Sequence, residues 1–185
     1  IVAGFCWRYE FECRAFYERI LGGEIGDVQS IYATYLTGPV KPMRPDSARD
    51  ENWSDIEWQV RNWYNFTWLS GDGLVEQAVH SVDKIAWAMG DTPPVSCTAV
   101  GGRGIPNQSG NIFDHIEVNY LYPDGVRAYM AQRQQRRCHN ENHDYLLGTK
   151  GRGDIARGIF IENVKGRWRY EGKRENMYQV EHNEL

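Results

Sequence analysis

The chain has 185 residues and a formal net charge of −4, from 21 Lys+Arg against 25 Asp+Glu, with 41% hydrophobic and 25% charged residues. That length can bury a sizeable core as one domain spanning residues 1–185, and the composition excludes a disordered chain or a coiled coil. No apolar run approaches the roughly 18 residues a membrane span needs, while 7 Trp and 11 Tyr make a heavy aromatic load.

The first residue is Ile1, and residues 1–7 are hydrophobic without the basic lead of a signal peptide, so an earlier start of the gene product is expected. Residues 14–21 read as the end of a helix stopped by Gly22 and Gly23. Residues 28–36 alternate and are rich in Tyr, Thr and Ile, which predicts a strand. A long irregular stretch is expected over residues 37–70, with Pro39, Pro42 and Pro45. Within it Trp53, Trp58, Trp63 and Trp68 recur every five residues, a period of neither helix nor strand. The clearest helix follows over residues 73–89, closed by Gly90 and Pro93-Pro94. Strands are predicted over 95–100, 116–122 and 126–131, the last two joined by the turn Pro123-Asp124-Gly125. Further strands are expected over 145–147 and 158–164 with a turn over 148–153 between them, and a last one over 167–170. Strands joined by hairpins outnumber helices, so the class is α+β with a largely antiparallel sheet.

The four cysteines, Cys6, Cys13, Cys97 and Cys138, form no C-x-x-C and match no disulfide framework. Four reduced thiols in a cytoplasmic protein are expected; a secretion signal ahead of Ile1 would place the protein in the periplasm or outside the cell. Cys138, His139, Glu141 and His143 lie within six positions, but without a second ligand pair they read as a polar loop, and no metal site is expected. Residues 127–174 carry 12 basic against 5 acidic residues. No nucleic-acid-binding motif accompanies them, so they read as a solvated face or an anion-facing patch, and neither nucleic acid nor membrane is an expected partner. Gly102-Arg103-Gly104 follows a strand, yet Pro106 and Asn107 come next instead of a helix, so the dinucleotide fingerprint is absent.

On the helix over 73–89, a wheel at 100° per residue places Glu76, Asp83, Lys84 and Trp87 on the side of His80, and Val75, Ala78, Val79, Val82, Ile85, Ala86 and Met89 opposite. Glu76 precedes His80 by four residues, so contact would orient the imidazole and favour its protonated form, which suits acid–base work near neutral pH. The same residues also fit a solvated face stitched by weak ion pairs. Trp87 amid the polar residues, and the tryptophan-rich loop leading into the helix, favour a pocket. Those tryptophans are either core or a wall for stacking a sugar ring or a nicotinamide.

Several stretches resemble one family. Gly4-Phe5-Cys6-Trp7-Arg8-Tyr9, followed by a helix and Gly22-Gly23-Glu24-Ile25-Gly26-Asp27-Val28, is similar to the opening of the C-terminal domain of Gfo/Idh/MocA-type oxidoreductases. Gly71-Asp72-Gly73-Leu74-Val75-Glu76-Gln77-Ala78-Val79-His80-Ser81-Val82-Asp83 resembles the family's G-G-G-x-x-x-D-x-x-x-H-x-x-D helix, and Leu147-Gly148-Thr149-Lys150-Gly151 its later G-(T/S)-x-G turn. The resemblance spans essentially the whole chain and implies a large open sheet with helices on one face.

It further implies that His80 is the catalytic histidine, with Glu76 in place of its usual Asp partner and Asp72 where a glycine is usual. Arg8 would face the pocket, Arg61, Trp63 and Trp68 would lie on the loop that shapes substrate choice, and Asp83 and Trp87 would line the site. The implied chemistry is hydride transfer between NAD or NADP and a sugar- or cyclitol-like alcohol. The alternatives are an NAD-dependent glycosidase of the same family or a non-catalytic carbohydrate-binding or oligomerisation module. The family's N-terminal Rossmann domain, with its glycine fingerprint and E-K-P segment, has no counterpart in the sequence; it is the implied partner for cofactor binding, without which the chain would be inactive. A homo-oligomer through the sheet is the other implied partnership.

Overall fold

The computed structural model describes residues 4–105, 110–156 and 158–185; Pro106 and Asn107, noted above, lie outside them. Helix α1 (Phe11–Leu21) buries Cys13, Phe16, Tyr17 and Ile20, the i, i+3, i+4, i+7 stripe of an amphipathic helix. The helix ends where expected, at Gly22, with Gly23 turning the chain away at φ 78°. Strand β1 (Val28–Thr37) follows.

The stretch expected to be irregular is partly helical. It contains a 3-10 turn (Asp46–Ala48), α2 (Asp55–Arg61), a 3-10 turn (Trp63–Asn65) and a single-turn α3 (Thr67–Ser70). Ser54 caps α2 by accepting a bond from the Glu57 N–H. Trp58, Trp63 and Trp68 fall on three different short elements and Trp53 on the loop before α2, which is why their spacing has no single period.

The predicted long helix begins with a π turn (Leu74–Ala78) and becomes regular only in α4 (Val79–Ala88). Next come β2 (Ser96–Gly102), β3 (His115–Leu121) and β4 (Arg127–Gln134). Then β5 (Glu141–Gly148), β6 (Gly151–Ile155), β7 (Ile159–Asn163) and β8 (Gly166–Arg169) run in succession. The expected turn over 148–153 is wrong in extent: β5 runs to Gly148 and β6 starts at Gly151. A last helix, α5 (Met177–Asn183), was not legible in its polar sequence; Asn176 caps it through the N–H groups of Tyr178 and Gln179.

The eight strands form one sheet in the order β2-β3-β4-β1-β5-β6-β7-β8. Every neighbouring pair is antiparallel except β1 and β4, so the sheet is mostly antiparallel and open, as expected. Phe16, Tyr17 and Ile20 of α1 and Ile85 and Ala88 of α4 pack with Ile31, Ala33, Met130, Leu146 and Ile161 in one core. Phe16 is fully buried there, and truncating such a side chain to Ala costs about 3–5 kcal/mol. The opposite face carries a Tyr32–Tyr129 stack at 5.3 Å, the pair His143–Asp154 at 3.0 Å and the pair Arg152–Glu162 at 2.6 Å.

Candidate functional site

The register of β4, β1 and β5 sets out rows of side chains beneath the helices, and these change character along the strands. Ala128, Ile31 and Leu146 align at one end and Met130, Ala33 and Asp144 come next. Gln132, Tyr35 and Asn142 follow, and beyond them Gln134 aligns with Thr37. The apolar core thus gives way to a polar floor within two rows. Gln132 is 1% exposed, and neither its amide nitrogen nor its oxygen has a hydrogen-bond partner; Thr37 Oγ1 is also buried and unpartnered. Buried polar groups are ordinarily bonded, so unpartnered ones in a cluster mark a place built for something else.

The π turn roofs this floor. It is reached through Gly71 and Asp72, both left-handed at φ 72° and 73°. Asp72 tolerates the conformation because its carboxylate accepts bonds from the N–H groups of Gly73 (2.6 Å) and Phe113 (3.0 Å). The i→i+5 turn adds a residue relative to an α-helix and rotates what precedes it. Val75, placed by the wheel on the apolar side, is consequently 58% exposed.

His80 is half-buried, and its Nδ1 is enclosed without a hydrogen-bond partner. Burial lowers its pKa and so does Lys84, while Asp83 and Glu181 of α5 oppose them. This reverses the expectation of a protonated imidazole stabilised by Glu76. Among the described residues no hydrogen bond or ion pair joins Glu76 to His80, since the π turn ends between them. Burial raises the Glu76 pKa, Tyr64 and Lys41 oppose the rise, and its Oε2 has no hydrogen-bond partner. Tyr64 is 2% exposed and accepts from Gln134 Nε2 at 2.6 Å.

Lys84 overturns the solvated-face alternative. Its side chain is 2% exposed and its Nζ donates to Asp144 on β5, so the polar side of α4 points into the protein. Asp83 and Trp87 are engaged with Arg8. Arg8 Nη2 lies 2.9 Å from Asp83 Oδ1, its guanidinium sits 4.7 Å over the Trp87 ring, and Trp87 stacks on Tyr17 at 4.2 Å. Arg61 pairs with Glu57 at 2.9 Å and lies 4.2 Å over Trp53. Trp63 is covered by Lys41 at 5.0 Å, and Trp68 is 62% exposed with its Nε1 donating to Gln59 at 2.7 Å.

The structure therefore brings together Glu76, Tyr35, Tyr64, Gln132 and Gln134, four of which sequence reasoning missed, and places His80 one turn further along the helix. Tyr35, Gln132 and Gln134 left a detectable signal: polar or amphipathic residues at core-facing positions of strands. Among the described residues no cluster of His, Cys, Asp and Glu could hold a metal ion. No helix there is long and apolar enough to cross a membrane, and all four cysteines are free.

The architecture is an open, mostly antiparallel sheet with a histidine-bearing helix packed over a polar floor. The profile of the GFO/IDH/MocA C-terminal domain family matches residues 13–153, and the chain belongs to that family. A search among curated proteins finds no match. Solved structures share the fold. A protein described as an oxidoreductase of Thermotoga maritima aligns at TM-score 0.74 and 16% identity, over 98% of this chain and 52% of that one. A super-repressor mutant of Gal80p from Saccharomyces cerevisiae aligns at 0.73 and 14%, over 97% and 48%. A levoglucosan dehydrogenase in complex with NADH and levoglucosan aligns at 0.68 and 16%, over 90% and 45%. The chain spans about half the length of each. Identities this low establish the fold alone.

Proposed function

We propose that this chain is the substrate-binding and partly catalytic domain of an NAD(P)-dependent oxidoreductase that acts on a sugar- or cyclitol-like alcohol. The observations that carry the proposal are the enclosed, unpartnered Nδ1 of His80 on α4, a helix that packs on β1 and β4, and the unpartnered or hydroxyl-bearing side chains Gln132, Thr37 and Tyr35 on those strands. Neutral imidazole accepts a proton from an alcohol as the carbon beside it gives up hydride, and returns it in the reverse direction. Amides and hydroxyls of the floor suit a polyol, whose several hydroxyls both donate and accept. Glu76, whose Oε2 is buried without a partner, would help orient the substrate, with Trp63 and Trp68 on the segment leading into the helix.

A bound nicotinamide cofactor supplies the hydride acceptor or donor. The dehydrogenase with NADH and levoglucosan supports that assignment through the shared fold. The floor and His80 suit the reacting end of such a complex; among the described residues after Gly102-Arg103-Gly104 no helix starts before β3. The nucleotide half would rest on a partner domain. The helix-free sheet face, with its Tyr32–Tyr129 stack and Leu147 at 42% exposure, would take a second copy, and light scattering would test this.

In the complete protein, His80→Ala should lower kcat by about 10²–10⁴ and leave the affinity for NAD(H) unchanged. An unchanged kcat overturns the assignment. A cofactor-free carbohydrate-binding module is the second reading, favoured by the exposed Trp68 indole. Titrating tryptophan fluorescence of this chain with sugars separates the two: tight binding without cofactor favours the module.

A further inference from the structure

The π turn packs on β1 and β4, and all three elements carry buried polar atoms without hydrogen-bond partners. These are Glu76 Oε2 and Gln77 Oε1 on the turn, Thr37 Oγ1 on β1 and both amide atoms of Gln132 on β4; His80 Nδ1, on the next turn of helix, is enclosed in the same way. A Cβ on Gly73 would lie 2.7 Å from Gln132 Nε2, so the start of the turn sits directly on that amide. Among the described residues no side-chain hydrogen bond crosses from residues 74–78 to β1 or β4. A buried polar group without a partner has given up water and gained nothing in return. Closure of the turn over the floor is therefore costly, and the cost is relieved when the turn lifts and water or a hydroxylated ligand reaches these atoms.

What holds the turn down is concentrated ahead of it. The Asp72 carboxylate accepts from the Phe113 N–H at 3.1 and 3.0 Å, which ties the entry of the turn to the residues before β3. Its Oδ1 also accepts from the Gly73 N–H, and Ser70 Oγ accepts from the Asp72 N–H at 3.1 Å. Gly71, left-handed at φ 72°, admits no side chain, since a Cβ there would lie 2.8 Å from the Cβ of Val75. Beyond the turn the chain is fixed: Ala78 and Ser81 are fully buried, and Lys84 bonds Asp144 on β5. The turn thus spans from a side-chain tether at Asp72 to a firm anchor in α4, with Val75 exposed between them.

We infer that Asp72 is a positioning residue whose carboxylate latches the π turn closed over the floor beside His80, and that release of this latch lets the turn lift to admit a ligand. That the ligand is an alcohol, and that His80 acts on it, rests on the function proposed above; the opening does not.

Hydrogen exchange in the 185-residue chain tests the latch, with amides of residues 74–78 compared with those of β1 and β4. In the wild type the turn amides should exchange faster than the strand amides, because they open locally; equal protection overturns the inference. Asp72→Gly removes the carboxylate and keeps a residue suited to the left-handed backbone. It should speed exchange of the turn about tenfold or more, the effect of losing hydrogen bonds to a charged group, and leave the strand amides in place. A merely structural role would move both sets together and overturns the inference. Phe113→Pro deletes the donor from the other side and should also speed the turn. Because the two share one tether, the double variant should be no faster than the faster single one; additive effects overturn the latch. Thr37→Val/Gln132→Met makes the floor apolar and should slow exchange of the turn by at least about fivefold. A native amide spectrum with unslowed exchange in that variant overturns the account of why the turn opens. If the exchange pattern holds while His80→Ala leaves kcat of the complete protein intact, the latch stands and the catalytic reading fails, so the two failures are distinct.

Discussion

A Cβ added to Gly73 would lie 2.7 Å from the side-chain nitrogens of both Gln132 and Gln134. Gly73 is therefore the point at which the roof of the site touches its floor, and the two amides, 1% and 4% exposed, have nowhere to swing. Gly→Ala in a helix gains about 1 kcal/mol, whereas overpacking of a filled site costs about 1–3 kcal/mol. Gly73→Ala should therefore destabilise by about 1 kcal/mol net, near 2–4 °C in Tm for a chain of this length. In a Gln132→Ala/Gln134→Ala background the clash is gone, and the same substitution should become stabilising. Urea unfolding of the four proteins gives the coupling directly; additive effects would show that Gly73 does not bear on the glutamines.

Glu76 has a buried, unpartnered carboxylate oxygen, and burial raises its pKa. A group with a raised carboxyl pKa stabilises the fold below its unfolded value and loses that contribution as pH rises through the folded one. At neutral pH the ionised Glu76 is therefore a cost. Glu76→Gln should raise stability by about 1 kcal/mol at pH 7 and have little effect near pH 4. If the residue also serves the substrate, kcat/KM of the complete protein falls in the same variant, the trade-off expected where a site is strained for function. Thermal melts at the two pH values check the first half independently of activity.

Most of the fold was legible because it rests on local signals. Alternation marked β1, the Pro123-Asp124-Gly125 turn marked the β3–β4 connection, and paired glycines ended α1. His80 could be singled out as a candidate from the sequence, but its surroundings could not. A π turn has no sequence signature in a hydrophobic wheel, so Val75 was assigned to the core and Glu76 to the imidazole. The buried pair Lys84–Asp144 joins residues 60 positions apart, a distance at which no pattern in the chain announces a contact. Tyr64 was hidden behind the tryptophans beside it: nothing in its local pattern sets it apart, yet its buried hydroxyl accepts from Gln134 on β4.

Arg8 makes three hydrogen-bond contacts with the Asp83 carboxylate, reaches Asp91 at 2.9 Å and covers Trp87. Such a fork cannot be reproduced by lysine, which carries a point charge. Arg8→Lys should cost about 1–3 kcal/mol in urea unfolding, the range for losing hydrogen bonds to a charged group. A double-mutant cycle of Arg8→Lys with Trp87→Leu should show about 0.5–1 kcal/mol of coupling for the guanidinium over the indole. If Arg8 serves the substrate alone, both stability effects vanish and only KM changes.

The pH dependence of stability carries the clearest signature of His80. Its pKa is lowered by burial first and by Lys84 second, so the unfolded chain binds the proton more readily than the folded one. Stability from this group is therefore fully present above the unfolded value of ~6.5 and is lost as pH falls through the lower folded value. The slope it contributes approaches but does not exceed about 1.4 kcal/mol per pH unit. His80→Gln removes the titration while leaving a polar side chain, and the difference in unfolding free energy between wild type and variant cancels the other histidines, which are common to both. That difference should be flat above pH ~7.5 and fall in favour of the variant from pH ~6.5 downward. A difference that stays flat from pH 8 to 5 would mean the imidazole titrates alike folded and unfolded. A difference that moves in favour of the wild type on acidification would mean that His80 is held as the cation, and that Glu181 and Asp83 outweigh burial and Lys84.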